Sequence, residues 1–124
     1  MVKPSILVVD DEQTIRSLVR RLLSDKFAIL EASDGAEAVD IARKHKPALI
    51  LMDIMMPKMD GYQACSIIKT DQPTKRIPVV MLTGIGYELN KKLAKEVGAD
   101  GYITKPFTRK ELLDTISKFL GIPK

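Results

Sequence analysis

Five short apolar runs alternate with five segments whose apolar residues recur at helical spacing, and this alternation leaves few folds open. The runs are Ser5 to Val9, about Phe27 to Ala32, Ala48 to Met52, Pro78 to Leu82 and Asp100 to Thr104. Each is too short for an ordinary helix, so each reads as a buried strand. The segment after the first run places Ile15, Leu18, Val19, Leu22 and Leu23 on one helical face. The second predicted helix presents the small residues Ala36, Val39 and Ala42 and stops before Pro47, and the third turns Ala64, Ile67 and Ile68 inward. The fourth holds Leu89, Leu93, Ala94 and Val97, and the fifth holds Leu112, Leu113, Ile116, Phe119 and Leu120. The punctuation agrees with these bounds. Ser33-Asp34-Gly35 starts a helix, Gly61 leads into the third, Asp71-Gln72-Pro73 breaks it, and Gly98 suits a left-handed cap. Thr108, with Glu111 three residues on, is the signature of a capping box.

Strands alternating with helices of this size imply an α/β domain, a parallel sheet covered by helices on both faces. Right-handed crossovers leave few topologies, and the flavodoxin-like order 2-1-3-4-5, taken over as a known template, suits five units. The expected fold is a doubly wound five-stranded parallel sheet in a single domain of residues 1–124, with its core at about 5–120. No apolar run approaches the ~20 residues of a membrane span, and no signal-peptide pattern opens the chain. The one cysteine, Cys65, excludes an internal disulfide, fits a reducing cytoplasm and falls in a helix as a packing residue. A net charge of +4 is mild and its cations are spread over several helices, so direct nucleic-acid binding is not expected.

The chemistry-bearing residues gather where strands end. Asp10 and Asp11 follow the first run, Asp53 follows the third, and Lys105-Pro106 follows the fifth. Ligands of open parallel sheets bind outside the carboxyl ends of the strands, at the switch point. With strands one and three adjacent, three carboxylates converge there, and two such charges 4 Å apart repel by about 4 kcal/mol at an effective dielectric of 20. A bound cation, a lysine or both would relieve that.

Asp10-Asp11-Glu12, Asp53, Thr83-Gly84 and Lys105-Pro106, in this order and each at a strand end, resemble a response-regulator receiver domain of the chemotaxis-regulator-like kind. So do the stretches Met56-Pro57-Lys58-Met59-Asp60-Gly61 and Gly98-Ala99-Asp100-Gly101-Tyr102-Ile103-Thr104-Lys105-Pro106-Phe107, and the resemblance spans about Ser5 to Leu120. It implies a phosphorylation-activated signalling receiver of a two-component phosphorelay, acting only on itself rather than turning over a substrate. Asp53 would accept the phosphoryl group from a histidine kinase, a phosphotransfer protein or a small phosphodonor. Asp11, Asp53 and the backbone carbonyl of Met55 would bind Mg2+, with Asp10 adjacent. Lys105 would pair with the acceptor and then with the phosphoryl oxygens. Thr83 would hydrogen-bond the phosphoryl group, Tyr102 would be the aromatic switch, and Pro106 would follow a cis peptide.

General chemistry is consistent with these roles. A carboxylate can serve as nucleophile, and phosphoryl transfer is catalysed mainly by positioning and charge neutralisation. Mg2+ takes oxygen ligands and usually one or two carboxylates plus phosphate, and lysine binds phosphate as a mobile point charge. No zinc cluster or GxxxxGK[ST] loop is present. The lone His45, between Lys44 and Lys46, is expected in solvent. Met55 and Ile85, two residues past Asp53 and Thr83, are apolar and cannot orient an attacking water, so self-dephosphorylation is expected to be slow.

The family's output surface is the fourth helix, fifth strand and fifth helix. Here it would carry Lys91, Lys92, Lys95, Tyr102, Lys110 and Lys118, facing a downstream protein, a fused output domain or a second copy in a phosphorylation-dependent homodimer. The kinase would approach near Ile15 and the Pro106-Phe107 turn. Two other functions compete. An aspartyl-nucleophile phosphatase of haloacid-dehalogenase type would want a DxD arrangement after the first strand and a cap, where this chain has Asp10-Asp11-Glu12 and no room for one. A flavin domain would want a Ser/Thr-rich phosphate loop there, and these acids would repel the phosphate.

Overall fold

A computed structural model describes residues 3–84, 92 and 95–122. Strands β1 (Ser5–Val9), β2 (Ala28–Ala32), β3 (Leu49–Asp53), β4 (Val79–Thr83) and β5 (Gly101–Thr104) form one parallel sheet in the order β2-β1-β3-β4-β5. That is the expected doubly wound order. The described helices of the sheet's two faces are α1 (Gln13–Leu23), α2 (Gly35–His45), α3 (Gly61–Thr70) and α4 (Arg109–Leu120). The last corresponds to the fifth predicted helix. Leu89, Leu93 and Ala94 of the fourth lie outside the described residues.

Strand residues alternate between two cores, as a period of two requires when both faces are covered. Leu7, Val9, Ile50, Met52, Val79 and Met81 pack with residues of α2 and α3. Ile6, Val8, Leu49, Leu51, Val80 and Leu82 pack with residues of α1 and α4. Each such side chain contributes roughly 1.5–3 kcal/mol by leaving water, which anchors the strand ends that carry the acids. Two strands end one residue later than expected. β3 runs on to Asp53, which lies opposite Leu82, and β4 runs on to Thr83, opposite Thr104, so both polar residues belong to the ladder itself.

The helix starts follow local chemistry. Asp34 accepts the Glu37 N–H, and Asp60 with Gln63 and Thr108 with Glu111 form capping boxes. The face of α2 is shifted from the expected one. Gly35, Ala38, Val39 and Ala42 are buried whereas Ala36 is exposed. Around a 3.6-residue turn Ala36 stands roughly a third of a turn from the centre of that stripe.

Helix α2 ends on Lys46, whose φ of 45° lies in the left-handed region while its N–H bonds the Ala42 carbonyl. A side chain there costs about 1 kcal/mol that glycine avoids. Lys46→Gly is therefore expected to stabilise the fold by roughly 0.5–1 kcal/mol in a urea titration. An unchanged or lowered midpoint would contradict this. Among the described residues no helix is long and apolar enough to cross a membrane.

Candidate functional site

Val9 lies opposite Met52 in the β1–β3 ladder, so Asp10 continues from β1 beside Asp53 at the end of β3. Asp10 is fully buried. Its N–H donates to the Ala32 carbonyl at 3.1 Å and its Oδ1 accepts the Glu12 N–H at 2.9 Å. The Lys105 ammonium joins the two strands, donating to Asp53 Oδ1 at 2.9 Å and to Asp10 Oδ2 at 3.2 Å. Lys105 is held by its own N–H, which donates to the Thr83 carbonyl at 2.7 Å, and the Lys105–Pro106 peptide is cis.

The charges have identifiable consequences. Burial first, and then the charge of Asp10, push the Asp53 carboxyl above the ordinary carboxylate range despite the bond from Lys105. Burial acts to lower the proton affinity of Lys105, but its bond to Asp53 and the charges of Asp53 and Asp10 outweigh that and hold the ammonium above its usual range. One lysine thus faces two carboxylates, and the pocket keeps a deficit of positive charge. Asp11 and Glu12 are exposed, and one carboxylate oxygen from each of Asp10, Asp11 and Glu12 lies within 4.8 Å of the others. Such a set of hard oxygen donors suits Mg2+. Asp53 is not in that set.

Thr83 is buried at the end of β4. Tyr102 is exposed on β5 and lies opposite Met81, two residues short of Thr83. Met55 is 78% exposed, so its side chain takes no part in the core. Ile85 lies outside the described residues. Cys65 is buried and its thiol is pushed up to about 12 by burial, which removes it as a nucleophile near neutral pH. Lys92, Lys95, Lys110 and Lys118 are exposed, with Lys110 bonded to Asp114 at 2.7 Å, and Lys91 lies outside the described residues. Ile15 and Phe107 are half-buried against the core, and His45 is exposed.

Two residues gain a part that the sequence did not give them. Glu12 completes the acidic set with Asp10 and Asp11. Gly61 donates its N–H to the Ile54 carbonyl at 2.8 Å, and a Cβ built on it would stand 2.2 Å from the Asp53 carbonyl oxygen. Its position just inside a helix start was the visible signal, but the neighbour that forbids a side chain was not.

The family model described as "Response regulator receiver domain" matches residues 6–117. "Chemotaxis protein CheY" of Halobacterium salinarum is 44% identical over 116 residues, covering 93% of this chain and 95% of that protein. "Probable transcriptional regulator ycf27" of Porphyra purpurea is 39% identical over 132 residues, covering 98% of this chain and 53% of the regulator. The chain therefore spans about half the length of that relative. Among solved structures, the receiver domain of a sensor histidine kinase from Pseudomonas aeruginosa, with a magnesium ion coordinated in its active-site cleft, superposes with a TM-score of 0.90 at 27% identity, over 97% of this chain and 99% of that one.

Proposed function

The chain belongs to the response-regulator receiver family and is a phosphorylation-activated signalling domain, and we propose that Asp53 is its acceptor, Lys105 and Thr83 its phosphoryl-binding partners, and residues 5–120 its working unit. The observation that carries this reading is the Lys105 ammonium held between Asp53 and Asp10 by residues of three different strand ends. An Asp53 oxygen attacks the phosphorus of the donor. The O–P bond to Asp53 forms as the bond to the donor breaks, and the leaving group departs with its electron pair. The donor is the phosphohistidine of a kinase or phosphotransfer protein, or a small acyl phosphate. Lys105 stays with the added charge, exchanging a carboxylate oxygen for phosphoryl oxygens. Thr83 donates its hydroxyl to the same group. Asp11, Asp53 and the Met55 carbonyl, with Asp10 and Glu12 beside them, are the residues that would hold Mg2+, which when bound neutralises charge on the phosphoryl oxygens.

Drawing Thr83 and Lys105 toward one dianion pulls on the ends of β4 and β5, and Tyr102, exposed on β5, is the side chain that reads the change. A downstream protein, a fused output domain or a second copy would meet that surface. The phosphatase alternative wants a DxD arrangement after the first strand, and the chain has Asp10-Asp11-Glu12 there, with Asp10 buried and bonded to Lys105 and the Glu12 N–H, which disfavours it.

Intact mass after incubation with acetyl phosphate tests the proposal. A single phosphoryl adduct formed with Mg2+ and absent in EDTA is the expected result. A folded, Mg2+-loaded chain that gains no adduct would overturn it.

A further inference from the structure

We infer that Arg16 is a positioning residue for the divalent cation, fixing the peptide that joins Asp10 to Asp11 and so aiming the Asp11 carboxylate. The inference rests on the reading of the acidic cluster as the Mg2+ site. Arg16 lies in the first turns of α1, just past the acidic loop. Its Nη1 donates to the Asp10 carbonyl at 2.7 Å, and its Nε donates to Glu31 Oε1 at 3.0 Å. The other Glu31 oxygen accepts from Arg20 Nη2 at 2.7 Å and from Arg20 Nε at 2.9 Å. Arg20 Nη2 also reaches the Ile29 carbonyl at 3.2 Å, which ties the set to β2. Arg20 first, and Arg16 after it, hold the Glu31 carboxyl below its ordinary range against the opposing effect of burial, so Glu31 stays an anion across neutral pH.

The geometry gives this chain of contacts a consequence at the loop. A peptide unit is planar, and the carbonyl of Asp10 and the N–H of Asp11 belong to the same plane. Holding that carbonyl sets the orientation of the amide from which Asp11 departs. Asp10 is fixed besides by its N–H on Ala32 and by its side chain on Glu12 and Lys105. Asp11 is exposed, so the packing of its own side chain does little to hold its direction. The side chain of Arg16 is only 16% exposed, and its planar fork bonds a carbonyl and a carboxylate together, which a flexible ammonium does less well.

Charge and position make opposite predictions. Arg16 is a cation close to a cation site, so deleting its charge alone would tighten Mg2+ binding. Loss of an outer residue that orients a ligand weakens metal binding, typically by 10–100-fold.

The test is calorimetric titration of Mg2+ into the parent chain, Arg16→Met, Arg16→Lys and Arg20→Met, with circular dichroism as the check on folding. Arg16→Met is expected to weaken binding by about tenfold or more, and Arg16→Lys by less. Arg20→Met removes two bonds to Glu31 but leaves the Asp10 carbonyl held, and is expected within about threefold of the parent. Should Arg16→Met not fold, Arg16→Lys against Arg20→Met decides the same question. Binding to Arg16→Met that equals or exceeds the parent's would overturn the positioning role. A parent chain that takes up no Mg2+ would instead overturn the reading of the site on which it rests.

Discussion

With Asp53 as the proposed acceptor, Asp53→Asn is expected to take up no phosphoryl group from acetyl phosphate and, with Mg2+ chelated, to melt above the parent chain. The first effect is all-or-none, because a carboxamide oxygen is not a competent nucleophile at this step. The second follows from linkage. Burial and Asp10 raise the folded-state proton affinity of Asp53 above its ordinary value of 3.8, so the native state holds that proton more tightly than the unfolded chain does. Folding stability therefore falls as pH rises through the raised range and returns as pH falls back through it. Asparagine is neutral throughout, so its advantage is full at neutral pH and closes toward acid. The expected result at pH 7 is a higher Tm for the variant, each kcal/mol of advantage being worth roughly 3–5 °C in a domain of this size. Melts of both chains in EDTA from pH 7 down to pH 4 check this. A variant that melts lower at neutral pH would mean that the bond to Lys105 outweighs burial and repulsion together.

Gly61→Ala carries the second large effect. The added methyl would stand 2.2 Å from the Asp53 carbonyl oxygen and 2.9 Å from Ile54 Cα, and both are backbone atoms that no rotamer change can move. Either β3 retreats at Asp53, the proposed acceptor, or the start of α3 lifts away, and the second breaks the Gly61 N–H bond to Ile54. The expected cost is roughly 2–4 kcal/mol, with slower phosphoryl uptake because the displaced strand end is Asp53 itself. Gly121→Ala is the comparison. Gly121 has φ of 65° and nothing within 4 Å of its Cβ position, so it forfeits only about 1 kcal/mol of backbone freedom. Urea unfolding of the two variants should rank them in that order. A Gly61→Ala chain as stable as Gly121→Ala would refute the steric account.

Much of this architecture is legible in the sequence. A short apolar run closed by an acid is a local pattern, so Asp10, Asp11 and Asp53 could be placed at strand ends, and the sheet order followed from matching a template. The capping box at Thr108 was equally visible, because both of its partners lie within three residues. What escaped depends on atoms that no local pattern names. Helical periodicity puts Arg16 on the polar side of α1, but its partners are a carboxylate on β2 and a backbone carbonyl, and carbonyls are invisible to composition. Gly61 read as a helix start, while the carbonyl that excludes a side chain there belongs to a strand. Ala36 departs from its expected inward place because a stripe of small residues has an ambiguous centre, which the packing of Gly35 against Met59 resolves.

Lys105 reaches Asp10 across 95 residues of chain, from just past β5 at the edge of the sheet. The acids of β1 and β3 can be assembled without it. A chain still emerging during synthesis, or one whose edge strand has peeled away, gathers negative charge but has no ammonium to follow an incoming phosphoryl group. With Lys105 in its proposed role, competence to receive the signal would proofread the finished fold, and a half-folded molecule would stay silent.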